Sequence, residues 1–376
     1  MKFLFYTHSL ISDWNHGNAH FLRGVMRDLV RRGHEVFALE PEGAWSREHL
    51  MAEQGPGAVD AFHRSFPTLR STIYGTNFDH EEAVANADVV IVHEWTDPKL
   101  VARLGRVRRN GGSFTLLFHD THHRAVSAER DIARLELADY DLTLAFGEAL
   151  RQRYLRAGWG RRVFTWHEAA DAELFRPMPE VEKSGDLIWI GNWGDDERSA
   201  EIGHFLIEPA QALQLKTTVQ GVRYPKSARE ALKRARIDYG GWIANAEVPR
   251  AFAENRVTIH IPRRPYVEAL PGIPTIRVFE ALACGIPLIS ARWDDAENLF
   301  RDNQDFLFAR DGAQMTRLLK DVLSDPAFAD ELVRSGLETI RARHTCRHRV
   351  DELLAILGTE GSDRVRNKLL SGEGAE

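Results

Sequence analysis

Short apolar runs alternate with amphipathic helical stretches along most of this chain, and that alternation constrains the fold more than any other feature. Residues 2–7 form a short apolar run of strand length. Residues 17–32 follow with Phe21, Leu22, Val25, Met26, Leu29 and Val30 on one side of a helical period. Gly33 ends that helix, and residues 34–39 read as the next strand. Strand, helix, strand is a βαβ unit. A parallel pair needs such a crossover, so the pattern predicts a doubly wound α/β sheet. Residues 88–92, 113–118, 142–145 and 163–166 continue the strand series, with helices near 126–137 and 147–157. Residues 41–82 carry scattered aromatics without a clear period, and read as a helix, loops and one short strand.

The pattern then stops and restarts. Residues 177–185 are polar and rich in breakers. A second series follows, with strands at 187–190, 216–220, 237–239, 257–261, 287–290 and 306–309, and helices from 314 to 357. This gives two Rossmann-like domains, residues 1–170 and 187–357, joined by a linker over 171–186 and followed by a flexible tail over 358–376. The 376 residues suffice for two domains of ordinary size, and 43% apolar residues give each a core. A net charge of −6 leaves no basic field for a phosphate backbone, which argues against nucleic acid. Two cysteines, Cys284 and Cys346, cannot build a disulfide framework and suit a reducing compartment. With no signal-peptide core and no apolar run of membrane-spanning length, the expectation is a cytoplasmic protein. Peripheral membrane contact through basic or aromatic loops stays open, as does the oligomeric state.

Residues 271–290 concentrate the chemistry. A Pro/Gly loop precedes a helix over 275–284, Gly285 stands where a helix stops, and an apolar strand follows. Ile276, Phe279 and Ala283 make the apolar stripe. Arg277 and Glu280 lie one turn apart on another face. The free N–H groups of the helix start, with a guanidinium beside them, suit a diphosphate; the carboxylate one turn deeper suits hydroxyls. The same spacing is also that of a surface ion pair, contributing about 0.2–0.5 kcal/mol.

The run Phe279-Glu280-Ala281-Leu282-Ala283-Cys284-Gly285-Ile286-Pro287-Leu288-Ile289-Ser290 resembles the donor-site segment of GT-B glycosyltransferases. The segment from Arg277 to Ala281 is most similar to the CgeB-like branch. The resemblance implies two Rossmann-like domains facing a central cleft, with a nucleotide-diphosphate sugar held by the C-terminal domain and the acceptor by the N-terminal one. It implies that Glu280 binds the ribose hydroxyls. Gly272 stands where many relatives carry a second glutamate, so retention and inversion both stay open. Residues 167–177 resemble the segment that leads such chains out of their first domain, and residues 240–245, with Trp242, resemble the turn lying against the nucleotide base. Thr275 and the loop residues Gly191 and Asn192 complete the donor set. GT-B transferases need no bound metal or other cofactor; Arg263, Arg264 and Arg277 can neutralise the leaving diphosphate.

In the first domain the loop 9–17 lacks the G-x-G-x-x-G fingerprint, which disfavours a nicotinamide dehydrogenase. His16 and Gly17 at the first helix, and His93 and Glu94 after the strand 88–92, are the expected acceptor contacts. His119 and Asp120 follow the strand 113–118, at a carboxyl end where open sheets bind ligands. His119 resembles the histidine that reaches the donor sugar in GT-B transferases; it could orient the sugar or take the acceptor proton, with Asp120 fixing its tautomer. The sugar, base and acceptor are not legible. A nucleotide-sugar epimerase or hydrolase of the same fold, and a non-catalytic sugar-binding protein, are the alternatives. A zinc hydrolase built on His119, Asp120, His122 and His123 is a third. Asp195-Asp196 and Asp294-Asp295 lack D-x-D spacing and read as solvated loop acids, as Trp193 reads as core.

Overall fold

A computed structural model describes residues 1–194 and 198–371. The chain forms two compact units, one made of residues 1–168 with 346 onward, the other of residues 169–345.

The first unit is built on seven parallel strands: β1 (Lys2–Tyr6), β2 (Glu35–Pro41), β3 (Ser71–Tyr74), β4 (Val89–His93), β5 (Thr115–Asp120), β6 (Leu142–Ala145) and β7 (Val163–Thr165). Their order is β3-β2-β1-β4-β5-β6-β7. Helices cover both faces of such a sheet, so its central strands are apolar on both sides, and β4 and β5 are buried at every residue. The helix Ala19–Arg31 buries Phe21, Val25, Met26 and Leu29, whereas Leu22 and Val30 flank the stripe and stay half-buried. Residues 41–82 resolve into helices Trp45–Gln54, Gly57–Ser65 and His80–Ala85 around β3. Helix Pro98–Arg109, capped by Asp97 with proline in its first turn, joins β4 to β5.

Residues 346–371 belong here too, whereas the expectation placed residues up to 357 in the second domain and began a flexible tail at 358. Helix Cys346–Glu360 packs on helix Ala19–Arg31; Arg32 Nη1 lies 2.6 Å from Asp351 Oδ1, and the Trp166 indole donates to the Arg349 carbonyl at 2.8 Å. Residues 363–371 are helical because Arg364 and Lys368 reach the buried carboxylate of Asp88 at 2.7 and 2.8 Å. A polar composition concealed this because, beyond residue 357, one apolar side chain, Val365, is fully buried and the other named partners are charged.

The second unit carries β8 (Gly185–Ile190), β9 (Thr217–Gln220), β10 (Asp238–Gly241), β11 (Asn255–His260), β12 (Leu288–Ala291) and β13 (Leu307–Ala309), all parallel, in the order β10-β9-β8-β11-β12-β13. Its core gathers Leu187, Trp189, Val257, Ile259, Ile289 and Leu307 from the sheet with Leu206, Met315 and Leu319 from helices. Trp193 joins this core. The expected linker 171–186 is part of this unit: Lys183 Nζ donates to the Asn255 carbonyl at 2.8 Å, and residues 185 and 186 already belong to β8.

Candidate functional site

Both sheets reverse their strand order once, and the chemistry gathers at those two points. In an open parallel sheet the crevice between strands whose crossovers run in opposite directions is a natural ligand site, at their carboxyl ends. In the second unit the reversal lies between β8 and β11; in the first it lies between β1 and β4.

In the second unit β11 ends in His260, buried and bonded on both ring nitrogens: Nδ1 to Ser290 Oγ at 2.8 Å and Nε2 to Thr275 Oγ1 at 3.0 Å. Burial, then the charges of Arg198 and Arg277, hold this imidazole down at about 3, so it is neutral. Thr275 is the extended residue just before helix Ile276–Cys284; its hydroxyl meets His260 and does not cap its own helix. Val278 N already donates to the Thr275 carbonyl at 3.1 Å, which leaves the Ile276 and Arg277 N–H groups at the helix start for a ligand. Arg277 stands in the first turn and ion-pairs with Glu280, whose side chain is wholly buried. The pair is thus an interior one, not a surface pair. Gly285 ends the helix at φ +66°.

Arg198 spans the reversal itself. It is buried, stacks over Trp189 at 5.5 Å, and donates to the Ile261 carbonyl beyond β11 at 3.1 Å and to the Asn192 carbonyl beyond β8. Arg263 is half-buried in the loop after β11. Arg264 pairs with Glu201 through Nε at 2.8 Å and Nη2 at 3.3 Å, which lowers its claim on a diphosphate. Gly191 follows β8 directly, and the Asn192 amide oxygen accepts from Val222 N at 2.9 Å, so that side chain ties two loops together. Trp242 is half-buried after the edge strand β10. Gly272 has φ +83°, a backbone conformation that disfavours a glutamate or any other side chain there.

In the first unit the carboxyl ends of β1, β4 and β5 bring together His8, His16, His93, Glu94 and His119, each at most 7% exposed. His93 and His119 are register partners, with ring centroids 5.8 Å apart. His93 Nε2 lies 3.0 Å from both Glu94 Oε2 and Thr121 Oγ1. Gly17 is exposed, just outside the first helix. Burial, with the charge of His93, pushes His119 well below the ordinary imidazole range. Burial likewise takes His8 to about 3 and depresses His16.

Asp120 does not fix the His119 tautomer, which corrects that expectation. Successive strand residues point to opposite faces. Its Oδ2 accepts from Tyr154 OH at 2.7 Å and its Oδ1 from His122 N at 3.0 Å. Burial, then Glu94, pushes its carboxyl up to about 7.

Among the described residues no group of three His, Cys, Asp or Glu side chains could hold a metal ion, which removes the basis for a zinc hydrolase at His119. Asp195 and Asp196 lie outside the described residues. Asp294 is exposed, whereas Asp295 is half-buried and accepts from Leu299 N and Phe300 N at 3.0 and 2.9 Å. The sequence reading missed His260, Arg198, His8 and Trp45. His260 closes β11 and His8 follows the end of β1 by two residues, so the strand-end rule that selected His93 would have found them.

Residues 198–355 match the family model described as glycosyl transferase-like. No curated protein matches the chain. Among solved structures, sucrose-phosphate synthase from Thermosynechococcus elongatus is 14% identical, with 96% of this chain and 98% of that one covered at a TM-score of 0.67. Anabaena HepE in complex with UDP and glucose is 13% identical, with 96% and 100% covered at 0.68. An alpha-glucosyltransferase in complex with UDP and a 13-mer DNA containing a HMU base is 12% identical, with 95% and 99% covered at 0.67. No helix among the described residues is long and apolar enough to cross a membrane. Residues 198–355 thus resemble the glycosyl transferase-like family, in a chain whose two parallel sheets have the GT-B fold.

Proposed function

We propose that this protein transfers a glycosyl group from a nucleoside-diphosphate sugar to a hydroxyl acceptor. The bond from the sugar's anomeric carbon to the diphosphate breaks, with the electron pair leaving on the diphosphate. A bond from the acceptor oxygen to that carbon forms, and the hydroxyl proton is released. The observation that carries the reading is the helix start at Ile276, flanked by Arg277 and the buried Arg198 at the strand reversal of the second unit. That is an anion site with the charge to hold a leaving diphosphate without a metal. Glu280 is the ribose ligand in this reading, and the UDP named with HepE and the alpha-glucosyltransferase makes uridine the first base to test. The first unit supplies the acceptor residues, His16, Gly17, His93 and Glu94. His119, held neutral, is a poor proton acceptor near neutral pH and serves as an orienting hydrogen-bond partner.

A thermal-shift screen against UDP-, GDP- and dTDP-sugars tests the donor. A ligand at 100 times its Kd stabilises the fold by about 2.7 kcal/mol. No shift with any nucleotide would end the reading. Donor turnover that ignores every added acceptor would favour a hydrolase or epimerase.

A further inference from the structure

From the first unit we infer the chemical class of the acceptor, an inference that rests on the transferase reading: it is an uncharged carbohydrate, seated on Trp95 with its hydroxyls against His8, His93 and His119.

Buried polar atoms are almost always hydrogen-bonded. Among the described residues, no hydrogen-bond partner reaches His8 Nε2, His93 Nδ1 or His119 Nε2, although the three rings are at most 6% exposed. The rings belong to one row: His8 and His16 are 5.5 Å apart, His16 and His93 6.1 Å, His93 and His119 5.8 Å. Three unmet nitrogens along one row call for a ligand with several hydrogen-bonding groups.

The charge of the surroundings selects among such ligands. A neutral imidazole offers one donor and one acceptor, which complements a hydroxyl that does the same. An anionic acceptor would instead need cations. Arg23 donates to the Leu10 and Ile11 carbonyls and pairs with Asp13. Arg47 donates through Nη2 to the Pro41 and Glu42 carbonyls, while its buried Nη1 meets no partner among the described residues. Arg124 donates to the Glu94 carbonyl and lies 4.4 Å from the Trp95 ring centre. The carboxylate of Glu94 adds negative charge beside His93. A phosphate or carboxylate placed against His119 and His93 would meet a neutral His119 ring and the like charge of Glu94.

The aromatic side chains point the same way. Trp95 is 37% exposed beside this row, 6.3 Å from His8, and Trp45 stacks on His8 itself at 4.5 Å. An indole face presents apolar area to the C–H face of a pyranose while polar groups at its edge take the hydroxyls. A lipid chain would leave the imidazole nitrogens unmet.

The test uses the intact chain with saturating UDP. Methyl glycosides of glucose, galactose, mannose and N-acetylglucosamine, with glucose 6-phosphate and octanol, are compared by saturation-transfer NMR and by calorimetry. At least one neutral glycoside is expected to bind at least tenfold tighter than glucose 6-phosphate. Trp95→Ala, at an exposed position, and His8→Ala should each weaken it about tenfold while UDP affinity stays at the wild-type value. Tighter binding of the phosphate or octanol, or neutral-glycoside binding indifferent to both variants, would overturn the inference, as would failure of every neutral glycoside. Failure to bind UDP removes the donor reading instead, and the glycoside comparison still decides this one.

Discussion

His260 Nε2 lies 3.0 Å from Thr275 Oγ1, so the last residue of β11 holds the residue that opens the helix Ile276–Cys284. The other ring nitrogen holds Ser290 in β12. One neutral imidazole thus sets the helix start against two strands. His260→Phe keeps a flat ring and deletes both bonds, each contributing about 1 kcal/mol. Calorimetry is expected to show nucleotide affinity reduced about fivefold, with a cooperative fold retained. Wild-type affinity would show that the helix start is positioned without His260.

The depressed imidazoles make stability depend on acid. His8 and His260 sit near 3 in the folded chain, against an ordinary 6.5. Above 6.5 neither state takes the proton. Between 6.5 and about 3 the unfolded chain binds it and the folded chain does not, so stability falls as pH falls through that window. Urea midpoints measured from pH 7.5 to 4 should decline, and His260→Phe should decline less steeply. An equal slope would mean that the ring protonates without unfolding the protein.

Glu280 is wholly buried and paired with Arg277. Hydrogen bonds to a charged group contribute roughly 1.5–3 kcal/mol. Glu280→Gln, which keeps the shape, is expected to weaken nucleotide binding at least tenfold and to spare binding of inorganic diphosphate. Equal losses for both ligands would assign Glu280 to positioning Arg277 rather than to the ribose.

The arginines should separate. Arg264 is held bidentately by Glu201, so Arg264→Ala should leave nucleotide affinity within about threefold of wild type. Arg277→Ala should cost more than tenfold, because a charge-assisted bond contributes about 1.5–3 kcal/mol. With this charge in place transfer should persist in excess chelator. Activity abolished by chelator and restored by magnesium or manganese would contradict the metal-independent reading.

His119→Ala should slow turnover about 10²-fold, the lower end of what a positioned side chain contributes, while nucleotide affinity is unchanged. Because its pKa is depressed, the rate should show no titration of this ring between pH 6 and 8. A rate limb near 6.5 that disappears in His119→Ala would make it a proton acceptor instead.

The sequence alone determined the layers. Apolar runs with period two or none, separated by stripes of period 3.6, placed most strands within two or three residues, because burial on both faces of a parallel sheet dictates side-chain type locally. Leu142–Ala145 and the stop at Gly285 follow from such local rules. Glu280 and Arg277 were legible because they share a short helix. The tertiary structure decided the rest. Residues 346–371 join the first unit through the buried Val350, Leu353, Leu357 and Val365 and through charged contacts, Arg32 with Asp351 and Asp88 with Arg364 and Lys368, between positions far apart in the chain. His119 and Asp120 are neighbours in sequence yet have separate partners, because a strand turns alternate side chains to opposite faces. His8, His93 and His119 are up to 111 residues apart in the chain, and His260 is 15 residues from Thr275. They meet because parallel strands all deliver their last residues to the same edge of the sheet, and strand order, which no local pattern encodes, decides which of them become neighbours.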